Sequence, residues 1–188
     1  SALTRLSANR ALACPGVQLS GQGFIVTNRD IEQFSEATRS RLIKRYVTGR
    51  DLTQTMRTQY VIDTFNLDDG ELRDQFPDAF QWLYDKVKPE REHNPRDKYR
   101  RQWWLAAEPR RNFRLALQGL SRYIATSRTS RHRTFQFLPN NVMGETKVLL
   151  VAGDNAALLA ILSSIVHVIF ANATGGWLGV GNDSTYNH

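Results

Sequence analysis

The chain has 188 residues, with 25 Lys and Arg against 18 Asp and Glu, and a formal charge of +7. That length supplies one domain's worth of core, and 41% hydrophobic with 23% charged residues excludes a disordered chain. The single cysteine, Cys14, excludes an intrachain disulfide and a multi-cysteine zinc site, and it fits a reduced, cytoplasmic setting.

The chain opens Ser1-Ala2-Leu3 without a methionine, so a fragment of a longer protein is expected. No basic segment followed by an apolar run marks a signal peptide. Glycines at 21 and 23 precede Phe24-Ile25-Val26, which predicts a strand. Asp30 is expected to cap a helix through Thr38, with Ile31, Phe34 and Ala37 on one side. Gly49-Arg50-Asp51 reads as a turn, Tyr60 to Asp63 as a strand and Asp68-Asp69-Gly70 as another turn. Pro77 sits where a helix would start, and Phe80, Leu83, Tyr84 and Val87 give it a buried stripe. Pro89 is expected to end or kink that helix. A second helix is predicted from Arg96 to Ala107. A third starts at Pro109 and stops at Gly119.

At Arg122 the pattern changes. Tyr123-Ile124-Ala125-Thr126 predicts a strand. Arg133 to Leu138 alternates with period two, which predicts a half-buried strand, and Lys147 to Val151 predicts a third. Asp154 is expected to cap an apolar helix from Ala156 to about Phe170, too short and too interrupted to span a bilayer. Glycines at 175, 176, 179 and 181 mark the C-terminal segment. Mixed helices with short antiparallel strands, and no βαβ alternation, predict an α+β fold.

The charge is uneven along the chain. Lys86 to Arg133 holds 14 basic and 4 acidic residues, net +10, while the remainder is net −3. Twenty of the 25 basic residues are Arg, the fork that binds phosphate and guanine bidentately. Such a segment suits a polyanion partner or, alternatively, a solvated helix surface whose Arg stems cover apolar neighbours.

Catalytic constellations are sparse. An adenosylmethionine enzyme acting on adenine needs an Asn/Asp-Pro-Pro-aromatic tetrad, and Asn94-Pro95 is followed by Arg96. Gly176 to Gly181 has the wrong glycine order for a dinucleotide loop. Glu145-Thr146-Lys147 with Asp78 matches a metal-dependent nuclease pattern, although a turn entering a strand explains the same tripeptide. His93, His132, His167 and His188 lack metal-ligand spacing. The expectation is a domain that is not itself an enzyme. Of the tryptophans, Trp82, Trp103 and Trp104 are read as core.

The densest constellation runs from Arg122 to Arg133. Arg122, Arg128, Arg131, Arg133 and His132, with the hydroxyls of Ser127, Thr129 and Ser130, are the groups that duplex DNA recognition requires. Arg reads the guanine edge, and Arg with Ser or Thr clamps phosphate. A surface hairpin with exposed charges is the structural alternative.

At these residues the chain resembles a known group. Leu6-Ser7-Ala8-Asn9, Gly21-Gln22-Gly23-Phe24, Tyr46 to Leu52, Val87 to Arg91, Trp103-Trp104, Arg122 to Thr126, Arg131-His132-Arg133 and Leu178 to Asp183 occur in the same order there. They resemble the target-recognition region of MmeI-like type II restriction–modification enzymes, which fuse a nuclease, an adenine-N6 DNA methyltransferase and a specificity domain. The resemblance implies one DNA-specificity domain over 1–188, with a lead-in at 1–52, a helical basic part at 77–120 and a strand and helix part at 121–188. It implies double-stranded DNA and the methyltransferase domain of the same polypeptide as partners, and no membrane. It places adenosylmethionine, and Mg²⁺ where the parent cuts DNA, in the parent protein, with no cofactor in this fragment. Arg50 is a further DNA-contact candidate, though an Arg50–Asp51 brace would use the same residues. Asn182 either touches DNA or holds the glycine-rich turn. The alternatives are a metal-dependent nuclease domain and a non-catalytic protein-interaction scaffold.

Overall fold

The structure, a computed structural model, describes residues 12–55, 57–178 and 183–186. In chain order it forms β1 (Ala13–Pro15), β2 (Ile25–Val26), α1 (Asn28–Ile31), α2 (Glu36–Arg41), β3 (Ile43–Val47), α3 (Gly49–Thr53) and β4 (Tyr60–Ile62). A run of helices follows: α4 (Asp69–Gln75), α5 (Pro77–Lys86), α6 (Lys88–Glu92), α7 (Asp97–Arg101) and α8 (Arg111–Ala116). The rest is β5 (Arg122–Ser127), β6 (Thr129–Ser130), β7 (Gln136–Pro139), β8 (Val142–Gly144), β9 (Val148–Val151), α9 (Ala156–Ser163), α10 (Ile165–Thr174), β10 (Gly176–Leu178) and β11 (Asp183–Thr185). The pairs β1–β9, β5–β9, β5–β7, β2–β4, β3–β4, β6–β11 and β10–β11 are antiparallel, so the α+β expectation holds.

The chain divides into two units that interleave in sequence. The described residues of the first are 12–16, 47–55, 110–178 and 183–186, and the second is 17–46 with 57–109.

In the second unit, reciprocal caps set the helix starts. The Thr27 hydroxyl and backbone N–H both donate to Asp30, 2.7 Å each, so Thr27 is the cap and Asp30 lies inside the first turn of α1. Ser35 caps α2 separately, which splits the single helix expected there. Asp68 and Glu71 form a second reciprocal cap, so the expected turn at Asp68-Asp69-Gly70 is the start of α4. Pro77 occupies the first position of α5, whose Ala79 and Leu83, with Val87 just beyond, are fully buried. The Trp82 indole N–H donates to the Gly23 carbonyl at 2.9 Å. A side chain at Gly23 would lie 2.7 Å from the Lys86 backbone, so only glycine fits that approach. Strands β2, β4 and β3 pair in that order beside these helices.

The helix predicted from Arg96 to Ala107 stops at Arg101. Adjacent residues do not share a helix face, yet Trp103 and Trp104 are both drawn inward. Trp103 is 7% exposed and meets Phe80, Tyr84 and Trp104 edge-on at 5.6–5.9 Å. Trp104 donates its indole N–H to the Leu67 carbonyl at 3.0 Å. Arg91 is 1% exposed, and its Nη2 donates to the carbonyls of Leu19 at 2.6 Å and Leu105 at 3.2 Å. It is an internal strut of this unit.

The first unit is built on a sheet of order β1-β9-β5-β7. One face carries Tyr123, Ala125, Leu138, Val148 and Leu150 against Phe113 of α8 and Val47. Tyr123 meets Phe113 edge-on at 5.8 Å and donates its hydroxyl to the Val142 carbonyl at 2.8 Å. The opposite face carries Ile124, Phe135 and Val151 against Leu158, Leu159 and Leu162 of α9. Asn155, not Asp154, caps α9, and Ser164 starts α10, so the expected apolar helix is two helices. Ile161, Ile165, Val166, Ile169 and Phe170 are exposed on this pair. Among the described residues no single helix is long and apolar enough to cross a membrane, and α9 with α10 reach that composition only across a 57° bend. A second sheet has the order β10-β11-β6.

Asp78 provides a stability test. It accepts from the Ser35 backbone at 2.6 Å, the Thr38 hydroxyl at 2.5 Å and the Ala79 backbone at 2.8 Å. Burial pushes its carboxyl upward, but these donors outweigh burial and hold it below 3.8. A depressed carboxyl stabilises the fold above its unfolded value and loses that contribution as pH falls through the folded one. Urea midpoints should therefore drop as the pH is lowered below about 5, and Asp78→Asn should flatten part of that drop. Parallel curves for the two proteins would contradict the assignment.

Candidate nucleic-acid interface

The two units divide the charge in a way that a sequence window does not show. The second unit holds 14 basic and 14 acidic residues, a net of zero. Several are paired: Arg39 with Glu36, Arg73 with Asp69, Lys88 with Glu92, and Arg100 and Arg101 both with Asp97. The described residues of the first unit hold nine basic and four acidic, a net of +5. The basic segment from Lys86 to Arg133 is thus cut by the fold. Its helical half sits in a neutral unit, and its second half lies in the positive one.

The sequence-predicted cluster lies wholly in the first unit. After Ser127 the chain leaves the main sheet. The Arg128 N–H still donates to the Lys147 carbonyl at 2.7 Å, and the Arg128 carbonyl accepts from the Tyr186 N–H at 2.8 Å. Thr129 and Ser130 then pair with Thr185 and Ser184 of β11. The Ser127 hydroxyl donates to the Thr129 carbonyl at 2.8 Å, and the Ser130 hydroxyl to the His132 carbonyl at 2.9 Å. Every one of these bonds ends on a backbone group. They fix the main chain of the connector and leave the side chains of Arg128, Arg131 and His132 exposed.

Arg133 is turned the other way. Its Nη1 donates to the Ser127 carbonyl and reaches the Thr126 hydroxyl at 3.4 Å. Its Nη2 donates to the Ser184 carbonyl at 2.9 Å and the Ser184 hydroxyl at 3.4 Å. The guanidinium carbon lies 5.2 Å from the centre of the Tyr186 ring. Burial lowers the affinity of this guanidinium for its proton. Arg133 precedes β7, which begins at Gln136, three residues later than the period-two pattern predicts. Ser127 is itself 5% exposed.

Arg122 is exposed at the start of β5. Its Nε and Nη2 donate to the Asp154 carbonyl at 3.2 and 3.0 Å, and its guanidinium lies 3.8 Å over the Phe137 ring. Arg50 is exposed on α3. Asp51 beside it is 2% exposed and accepts from the Thr48 N–H and hydroxyl, 2.7 Å each, in a cap like those of the second unit. Asn182 lies outside the described residues.

Lys147 joins this set, although the sequence pattern suggests it only as the start of a strand and the end of a nuclease tripeptide. It is exposed, and its carbonyl holds Arg128. Gly49 brings α3 to the same place: a side chain there would lie 2.8 Å from the Ser127 hydroxyl and 3.2 Å from the Lys147 carbonyl. Arg50, Arg128 and Lys147 are therefore gathered at one end of the main sheet by residues far apart in sequence. The signal was present as Gly49, a small residue before Arg50, but its partner strand was not legible.

The nuclease pattern is divided between the units. Asp78 is held in the second by Ser35 and Thr38. Glu145, in the first, accepts from the Thr146 hydroxyl at 2.9 Å. Among the described residues no group of three His, Cys, Asp or Glu could hold a metal ion. Burial pushes the Cys14 thiol up to about 11, against a smaller opposing pull from Arg110, so it stays protonated at neutral pH.

Gly49→Ala tests how the end of the sheet is built. The added methyl forces α3 away from Ser127 and Lys147, and a loss of about 1–3 kcal/mol in urea unfolding is expected. Unchanged stability would contradict the close approach.

No protein-family model matches the chain, and no curated protein matches it. Among solved structures it is similar to the type IIL restriction–modification enzyme MmeI in complex with DNA, with a TM-score of 0.69 at 14% identity. The match covers 93% of this chain and 23% of that one, so the chain spans about a quarter of the length of the structure it matches. The likeness is one of fold: this α+β chain has the architecture of one segment of MmeI, the group that its sequence blocks resemble.

Proposed function

We propose that this chain is the target-recognition domain of an adenine-N6 DNA methyltransferase or a fused restriction–modification enzyme, binding duplex DNA and reading its sequence. One observation carries the proposal. The Arg128–His132 connector has its backbone tied down by hydrogen bonds and its cationic side chains exposed, on the unit that carries the net positive charge. Base reading demands a rigid backbone with extended donors at its tip. Arg131 and Arg128 offer the guanidinium fork for guanine, and His132, Thr129 and Ser130 add shorter donors and acceptors. Arg50 and Lys147 flank the connector as phosphate contacts, and Arg122 adds charge at the opposite end of β5. The likeness to a segment of an enzyme in complex with DNA supports the same reading.

In this reading the chain performs no chemistry. It positions duplex DNA for a methyltransferase domain of the same polypeptide, in the cytoplasm. Adenosylmethionine there supplies the methyl group, and Mg²⁺ serves cleavage where the parent also cuts. Among the described residues no group of three His, Cys, Asp or Glu could hold that metal ion.

Fluorescence anisotropy with a mixed-sequence duplex tests the proposal. Log affinity should fall linearly with log salt, and Lys147→Ala should lower that slope by about 1 for every sequence. Arg131→Ala should instead lose about 1–3 kcal/mol of discrimination at one base position. Binding that is indifferent to salt would sink the proposal.

A further inference from the structure

We infer that Arg133 is a positioning residue for sequence reading: its guanidinium bridges the end of β5 to β11 and so fixes the connector that carries Arg128, Arg131 and His132. The inference rests on the DNA-reading function proposed above.

The connector is a weak structural element by itself. It leaves the main sheet after Ser127, makes a two-residue pairing with β11 and returns to β7. Two residue pairs fall short of what a strand pair needs for independent stability, so the connector depends on further ties. Arg133 stands on the returning arm and closes this excursion. One terminal nitrogen binds the Ser127 carbonyl, the last residue of β5, and the other binds the Ser184 carbonyl on β11. Both acceptors are main-chain oxygens, so the planar fork fixes two strands and its own arm in one geometry.

The seat beneath it is aromatic. Tyr186 lies under the guanidinium, and its hydroxyl is 2.8 Å from His167 Nε2 on α10. Phe135 meets both rings edge-on at 5.5 and 5.9 Å. The Tyr186 N–H donates to the Arg128 carbonyl, so the residue that seats Arg133 also holds the first reader. Arg133 therefore acts on DNA through the residues it places.

The test is a double-mutant cycle on the full chain, read by selection from a randomised duplex pool alongside anisotropy and thermal unfolding. Arg133→Lys keeps the charge but replaces the rigid fork with a flexible point donor. It should leave the salt slope unchanged and reduce discrimination at least tenfold at all of the base positions read by the connector. Adding Arg131→Ala to Arg133→Lys should then cause no further loss, because coupled residues are not additive. Ser184→Ala, which removes the hydroxyl that accepts from Arg133, should give a smaller loss at the same positions and carries the test if Arg133→Lys does not fold. Additive losses, or intact discrimination in a folded Arg133→Lys protein, would overturn the inference. A change confined to one base pair would make Arg133 a reader and overturn it too. If the wild-type chain selects no sequence, the function proposed above fails and takes this inference with it.

Discussion

Burial of β5 on both faces is the constraint on which the first unit depends. Tyr123 and Ala125 face α8 and Val47, while Ile124 faces α9, and each is at most 1% exposed. A strand packed from both sides cannot slip by one residue, since a slip would exchange the two cores. Its register with β9, Ser127 opposite Val148, is therefore fixed. The same register places Arg128 beside Lys147 where the sheet ends. The candidate interface stands at a position that core packing sets, and its own residues contribute little to that packing.

Charge follows the units and not the sequence windows. A helix-rich unit with equal numbers of acidic and basic residues ties several of its cations into local pairs. Arg100 and Arg101 both meet Asp97, and Arg91 is spent on carbonyls inside the core. Exposed ion pairs of this kind add little stability, but they do cancel the local field. The excess positive charge falls on the unit in which Arg110, Arg122 and Arg133 donate to backbone carbonyls and Arg128 and Arg131 are exposed. The +10 read between Lys86 and Arg133 is real as a count and misplaced as a surface, because it crosses the boundary at Arg110.

Much of the fold was legible in local chemistry. Pro77 at a helix start, Gly119 near a helix end with a φ of 81°, and the Tyr123 to Thr126 strand all follow from the residue types themselves. Caps were legible in type but displaced by a few residues. Thr27, Asn155 and Asp68 do the work assigned to Asp30, Asp154 and a turn, since any short polar side chain can cap and only the three-dimensional hydrogen bond selects one. The strand expected from Arg133 begins at Gln136. The period-two pattern does continue back through Phe135, but Arg133 is drawn away toward Ser184, which lies 51 residues on. Contacts at that separation leave no local trace. For the same reason the sequence could list Arg128, Arg131, Arg133 and Ser127 together but could not sort the exposed pair from the bridging guanidinium and the buried hydroxyl. Lys147, brought beside Arg128 by strand pairing alone, escaped that list.

The central claim is that DNA meets the first unit at the end of its main sheet, and that the more numerous cations of the helical unit stay uninvolved. Backbone amide chemical shifts followed through a titration with duplex DNA test it directly. Shifts concentrated at residues 47–55, 127–134 and 147 are the predicted result. Shifts concentrated in α5 to α7, with the connector unmoved, would contradict it.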